Sequence, residues 1–162
     1  MEKYLVEKDW FYRDLRCVVI MTPAGHKCGY VGLSKTHFLY GVEYDEEIKI
    51  SEEAKENLKK SDIGKRGILS IFRFDGETIT PEIFFNVHGG ITYAAGSGDY
   101  PVESNLWWFG YDCAHAGDAK DLTVLSEERK EFELKYPLGG ELRTLEYCIS
   151  ECESLADQLL KF

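Results

Sequence analysis

The sequence predicts an α+β fold: a mainly antiparallel sheet of hairpins or a meander, packed by a long C-terminal amphipathic helix and a short surface helix, in a single domain over residues 1–162. Three observations predict it. Short β-branched and aromatic runs recur from Arg16 to Asp112 between turn residues. Asp75-Gly76 and Gly89-Gly90 are two-residue turn signals that return the chain antiparallel to itself. From Glu141 onward, Leu142, Leu145, Cys148 or Ile149, Cys152, Leu155 and Leu159 repeat at helical spacing with acids opposite. A chain of 162 residues, 44% hydrophobic and 14% aromatic, can bury a core without metal or disulfide support.

Taken in order, Trp10, Phe11, Tyr12 and Leu15 form an aromatic lead-in to a buried strand over 16–21. Thr22-Pro23-Ala24-Gly25 then turns the chain into a partner strand over 26–33. Cys17 and Cys28 read as buried thiols, and His26 and His37 as surface residues. Residues 37–44 alternate weakly, as a strand or an ordered loop. Ser51 reads as an N-cap, with Glu52 and Glu53 in the first turn and Lys59 and Lys60 in the last, which complements the helix dipole of a short surface helix. Residues 68–74 and 77–80 read as a hairpin across Asp75-Gly76. After Pro81, Ile83, Phe85 and Val87 alternate with Phe84, Asn86 and His88, which predicts a strand over 83–88. Strands over 91–95 and 106–112 follow, separated by a glycine-rich loop. Residues 127–136 read as a short charged helix ended by Pro137-Leu138-Gly139-Gly140, and the last helix runs about five turns.

Nineteen basic against twenty-nine acidic residues give a net charge of −10, which repels phosphate backbones and anionic membrane surfaces. Nonspecific nucleic-acid binding and membrane association are therefore not expected. The dispersed acids suit solubility or a dock for a basic protein. Five cysteines leave at least one unpaired, and Met1-Glu2-Lys3-Tyr4 has no basic-then-apolar signal, so a reducing cytoplasm is expected.

Most of the unusual chemistry falls between Asn86 and Asp118. If strands 83–88, 91–95 and 106–112 form a meander, the first and third run parallel, and His88-Gly89-Gly90 meets Asp112-Cys113-Ala114-His115-Ala116-Gly117-Asp118 at one rim. Four readings of that rim stand. His88, Asp112, His115 and Asp118 are suitable ligands for a divalent metal with a vacant position for water. Cys113 could act as a nucleophile, with His115 or His88 as base and Asp112 or Asp118 orienting it, in a hydrolase-like enzyme. His88, Gly89, Gly90, Tyr93, Trp108, Asp112, His115 and Asp118 could instead line a pocket for a small polar or nucleotide-like ligand, with glycine amides, imidazoles and a stacking aromatic as contacts. The fourth is structural: satisfied histidines and a capped turn that hold a loop. Along 106–112, Trp107 and Trp108 must face opposite sides. Cys148 and Cys152, four apart, complete the apolar stripe of the last helix.

The segments His88-Gly89-Gly90-Ile91-Thr92-Tyr93, Trp107 to Asp118, Glu151 to Leu159, Gly25 to Gly32 and Leu39 to Val42 resemble a family of uncharacterised phage- and prophage-associated proteins, over most of the chain. The resemblance implies an accessory role in a host-cell cytoplasm and transfers no catalytic residues. A host protein is then a further candidate partner, bound or inhibited through the acidic surface.

Overall fold

In the computed structural model, residues 3–53, 56 and 78–162 are described. Five antiparallel strands form the main sheet: β1 (Leu5–Tyr12), β2 (Leu15–Met21), β3 (Lys27–Leu33), β6 (Tyr93–Gly98) and β7 (Ser104–Asp112), in the order β1-β2-β3-β7-β6. A two-stranded sheet pairs β4 (Ile48–Lys49) with β5 (Thr78–Ile79). Helices that lie wholly among the described residues are α1 (Pro81–Phe84), α2 (Glu127–Lys135) and α3 (Leu145–Leu159), with a 3₁₀ turn at Leu122–Val124. The fold is the α+β arrangement that the sequence predicts. Among the described residues, no helix is long and apolar enough to cross a membrane.

Helix α3 lies over one face of the sheet. Cys148, Cys152, Leu155, Ala156 and Leu159 are buried with Cys17, Val19, Val31, Leu33, Phe109 and Tyr111 in one cluster. Val18, Ile20, Cys28, Tyr30 and Trp108 form a second cluster, packed by Tyr4, Tyr93, Tyr100, Val102 and Leu106. The period-2 alternation of β2, β3 and β7 divides these sets between the two faces. Cys17 and Cys28 are accordingly both buried but in different clusters, since Cys28 stands opposite Ile20 rather than Cys17.

Strands β3 and β7 are locked by two reciprocal cross-strand pairs. Gly29 stands opposite Tyr111 and Tyr30 opposite Gly110. A Cβ on Gly29 would lie 2.3 Å from the Tyr111 ring, and one on Gly110 would lie 2.5 Å from the Tyr30 ring. Each glycine thus makes room for the aromatic ring across from it, one ring in each cluster. The Tyr111 hydroxyl then donates to the Cys148 carbonyl at 2.7 Å, which ties β7 to α3.

Several sequence expectations are corrected. Residues 83–88 are not a strand: Pro81 sits at the start of α1, where its fixed φ suits a first helical turn, and the Glu82 N–H donates to the Tyr44 carbonyl at 2.9 Å. The Asn86 backbone is satisfied by a side chain instead of a ladder. Its N–H donates to Gln158 Oε1 and its carbonyl accepts from Gln158 Nε2, both at 2.8 Å. The expected three-strand meander is therefore absent, and β7 lies between β3 and β6. Of the aromatic lead-in, Trp10, Phe11 and Tyr12 belong to an edge strand, Leu5–Tyr12, whose exposed charges and bulge near Glu7 obscure its alternation, while Leu15 begins β2. Its turn to β2 is Arg13-Asp14, both at positive φ. The glycine-rich segment after residue 95 is strand as far as Gly98.

Residues 37–44 are turns rather than a strand, and His37 is half-buried rather than on the surface. Its Nδ1 accepts from the Leu39 N–H at 3.0 Å and its Nε2 donates to the Leu159 carbonyl at 2.8 Å. His26, also read as a surface residue, is half-buried, with Nδ1 3.3 Å from the Thr22 hydroxyl. Helix α3 starts at Leu145 rather than Glu141, because the Thr144 hydroxyl accepts from the Tyr147 N–H and caps it. Its 15 residues make about four turns. The Asp75-Gly76 hairpin lies outside the described residues. So does most of the helix expected after Ser51, of which Glu52, Glu53 and Glu56 are helical.

Replacing Gly29 with alanine puts a methyl group against a ring held on both sides. The expected cost is about 1–3 kcal/mol in urea unfolding, with Gly29→Ala/Tyr111→Leu recovering part of it.

Candidate functional site

Three loops converge at one end of β7. The first is Asn86 to Gly90, where the Gly90 N–H donates to the Val87 carbonyl at 2.8 Å. Gly89 has φ +70, and a Cβ there would lie 2.3 Å from His115 Nε2. Both the left-handed backbone and the space for the imidazole require glycine at this position. The second loop follows β7. Asp112 Oδ1 accepts from the Ala114 N–H at 3.1 Å, its Oδ2 accepts from the Thr92 hydroxyl at 2.8 Å, and the Asp118 N–H donates to the His115 carbonyl at 3.0 Å.

The third loop precedes α3. Glu141 pairs with the second loop: its N–H donates to the Gly117 carbonyl at 2.8 Å, and its carbonyl accepts from the Ala119 N–H at 2.9 Å. A Cβ on Gly140 would lie 2.6 Å from the Gly117 carbonyl oxygen, so this strap docks only because it is glycine there. Docking brings Arg143 to Asp118.

Asp118 is the hub. Its side chain is 1% exposed. Oδ2 accepts from His88 Nε2 at 2.8 Å and from the His115 N–H at 3.0 Å, while Oδ1 accepts from Arg143 Nε at 2.8 Å. Burial alone would raise this carboxyl group. The hydrogen bonds from His88, Arg143 and the His115 amide outweigh burial and hold it at about 2, below the ordinary 3.8. An ionised Asp118 only accepts, so His88 carries a proton on Nε2.

The other nitrogen of His88, Nδ1, lies 2.7 Å from the Tyr147 hydroxyl, which is also 3.0 Å from Glu151 Oε1. That hydroxyl has one proton and two acceptors within reach. It donates to Glu151 when Nδ1 is protonated and to Nδ1 when it is not. Burial, then the hydrogen bond to Glu151 and its charge, push the Tyr147 phenol up to about 12, so it is not a phenolate nucleophile near neutral pH. His88 and Tyr147 line an open cleft of about 390 Å³ with Asn86, Val87, Ser150, Glu151 and Ser154.

Of the residues expected at the rim, His88, Gly89, Gly90, Asp112, His115 and Asp118 come together. The rings of His88 and His115 are 6.2 Å apart, and His115 Nε2 lies 3.2 Å from Asp112 Oδ1. Tyr93 and Trp108 do not join them. Both belong to the second cluster, Tyr93 against Tyr30 and Tyr100. Trp108, 1% exposed with Nε1 donating to Ser104, has no free ring face for a ligand. Trp107 does point to the opposite face and is partly buried there, its Nε1 donating to the Val42 carbonyl.

Among the described residues, no group of three or more His, Cys, Asp or Glu side chains is arranged to hold a metal ion. The physical reason is Arg143, whose cation holds one carboxylate oxygen of Asp118 while His88 and an amide hold the other. The set does not fit the expected divalent metal. Cys113 turns inward, and no hydrogen bond among the described residues links it to either histidine; its partner is Cys148. A hydrogen bond to Cys148 and then burial raise its thiol, which disfavours the nucleophile reading.

Arg143, Tyr147, Glu151 and Gln158 were not legible as site residues. Only the four-residue spacing of Tyr147 and Glu151, which puts them on one helix face, was available in the sequence. In comparisons with known proteins, no family model, curated protein or solved structure matches the chain.

Because the folded carboxyl of Asp118 lies below its unfolded value, its ionised form stabilises the fold fully above about pH 4. That contribution, about 2 kcal/mol, is lost as pH falls towards 2. Urea unfolding should show the decline in the wild type and a flatter profile in Asp118→Asn. At pH 7, Asp118→Asn should cost about 2–4 kcal/mol, because Arg143 loses its buried counter-charge.

Proposed function

We propose that the chain is a phage- or prophage-type accessory protein whose cleft between residues 86–88 and α3 binds a small polar ligand. The observation that carries this reading is His88. It is fixed by Asp118 on one side and presented with the Tyr147 hydroxyl to an open cleft whose other polar groups are Asn86, Ser150, Glu151 and Ser154. A rigid imidazole beside several hydroxyl, amide and carboxylate groups suits a ligand rich in hydrogen-bond donors. Glu151 carries the charge in the cleft, Arg143 is already neutralised by Asp118 and Glu141, and the chain carries −10 overall. The ligand is therefore neutral or cationic, and if it is nucleotide-like it is the nucleoside rather than its phosphate.

A second reading rests on the consecutive Asp118–His88 and His88–Tyr147 distances of 2.8 and 2.7 Å. They support an enzyme that moves protons through His88, with Tyr147 kept as a neutral phenol.

A thermal-shift panel of nucleosides, amino sugars, polyols, amines and nucleoside phosphates tests the ligand reading. A ligand at ten times its Kd contributes about 1.4 kcal/mol, which is about 3–6 °C for a chain of this size. Tyr147→Phe and Glu151→Gln should remove that shift while leaving the ligand-free Tm nearly unchanged. No shift with any compound, or equal shifts in the variants, would sink the proposal.

A further inference from the structure

We propose that Cys113 and Cys148 are a redox-active dithiol, a modification site that closes to a disulfide and locks the Asp112–Asp118 turn onto α3. The two sulfurs are 3.8 Å apart, and no other pair of the chain's cysteines is so placed among the described residues. Cys152 instead meets the Tyr111 hydroxyl, Cys17 meets the Leu15 carbonyl, and Cys28 lies in the other cluster. Cys113 is the last buried residue before the exposed run Ala114 to Gly117, so opening that one turn uncovers its sulfur. Cys148 lies in the first turns of α3, beside Tyr147, where the positive end of the helix dipole favours a thiolate.

The hydrogen bond between the two thiols adds to that effect, because it lowers the Cys148 thiol against the opposing effect of burial. Cys148 is then the attacking sulfur. With hydrogen peroxide as oxidant, the Cys148 thiolate attacks one peroxide oxygen and breaks the O–O bond. The products are a Cys148 sulfenic acid and hydroxide, which takes a proton to become water. The Cys113 thiol then meets the sulfenic sulfur: the S–S bond forms as the S–O bond breaks, and the departing hydroxide takes the Cys113 proton to become the second water. Two thiols are oxidised and one peroxide is reduced to two waters.

A disulfide needs its sulfurs about 2.05 Å apart, so closure brings them about 1.8 Å nearer, shared between rotation of the two side chains and movement of the turn against the helix. Asp118 ends that turn and Tyr147 precedes Cys148, so the two hydrogen bonds of His88 join the parts that move. Any change in ligand affinity rests on the cleft reading above, whereas the dithiol does not.

The test treats the full chain with hydrogen peroxide, alkylates remaining thiols in denaturant, digests it and maps the peptides by mass. Free thiols should fall from five to three, with fragmentation placing the bond between Cys113 and Cys148 rather than Cys152, and dithiothreitol should restore all five. The His88 ring-proton NMR signals, which need no ligand, should shift on oxidation. Cys148→Ala should keep its four thiols, whereas Cys113→Ala should keep three, with Cys148 left as a sulfenic acid that dimedone labels. Five alkylated thiols after oxidation, over-oxidised Cys148 without a cross-link, a bond through Cys152 or another chain, or unmoved His88 signals would each overturn the proposal. The peptide map needs only the wild type, so a variant that fails to fold does not affect it.

Discussion

The structure around the cleft depends on one buried negative charge. A carboxylate out of water needs donors on both oxygens, and Asp118 obtains them from three separate parts of the chain. His88 comes from the loop after α1, the His115 amide from the turn after β7, and Arg143 from the strap before α3. Each donor fixes its own segment, so one charge sets the position of three loops. His88 gains the most from this. With one nitrogen committed to Asp118, its other nitrogen can point only to Tyr147, and through it to Glu151.

The fold class, the β2–β3 pair and the apolar stripe of α3 were legible because they rest on local periodicity. The convergence of His88 with His115 and Asp118 was also anticipated, but from a geometry that does not exist. Ile83, Phe85 and Val87 alternate as a strand does, while Phe84 and Phe85 pack around Phe162 at the other end of the chain. Gln158 supplies the backbone partners that a neighbouring strand would have given Asn86. Alternation misassigned burial as well as partners here, since Ile83 is exposed and Phe84 is buried beside Phe85. A glutamine standing in for a strand leaves no mark near the residue it serves.

The same limit explains the remaining site residues. Nothing near Arg143 announces Asp118, because their meeting depends on Gly140 passing a carbonyl oxygen at Gly117. The aromatic expectations fell on the other side of this divide. Alternation correctly set Trp107 against Trp108, but Trp108 and Tyr93 share the face filled by tyrosines, away from the histidines. Residues on one strand can be close in sequence and separated by the thickness of the sheet.

The order of the strands has a consequence for when the site can exist. The first three strands meet through short turns and can pair as soon as they leave the ribosome. β3 then waits for β7, with Cys28 opposite Asp112 across a long intervening segment whose closure costs entropy before any contact repays it. The cleft waits longer still, since its second wall is α3. Until Arg143 and Tyr147 have been synthesised, Asp118 lacks its cation and His88 lacks the hydroxyl beside Nδ1. The cleft can thus close only after the sheet beneath it has formed, once α3 arrives to meet the turn that follows β7.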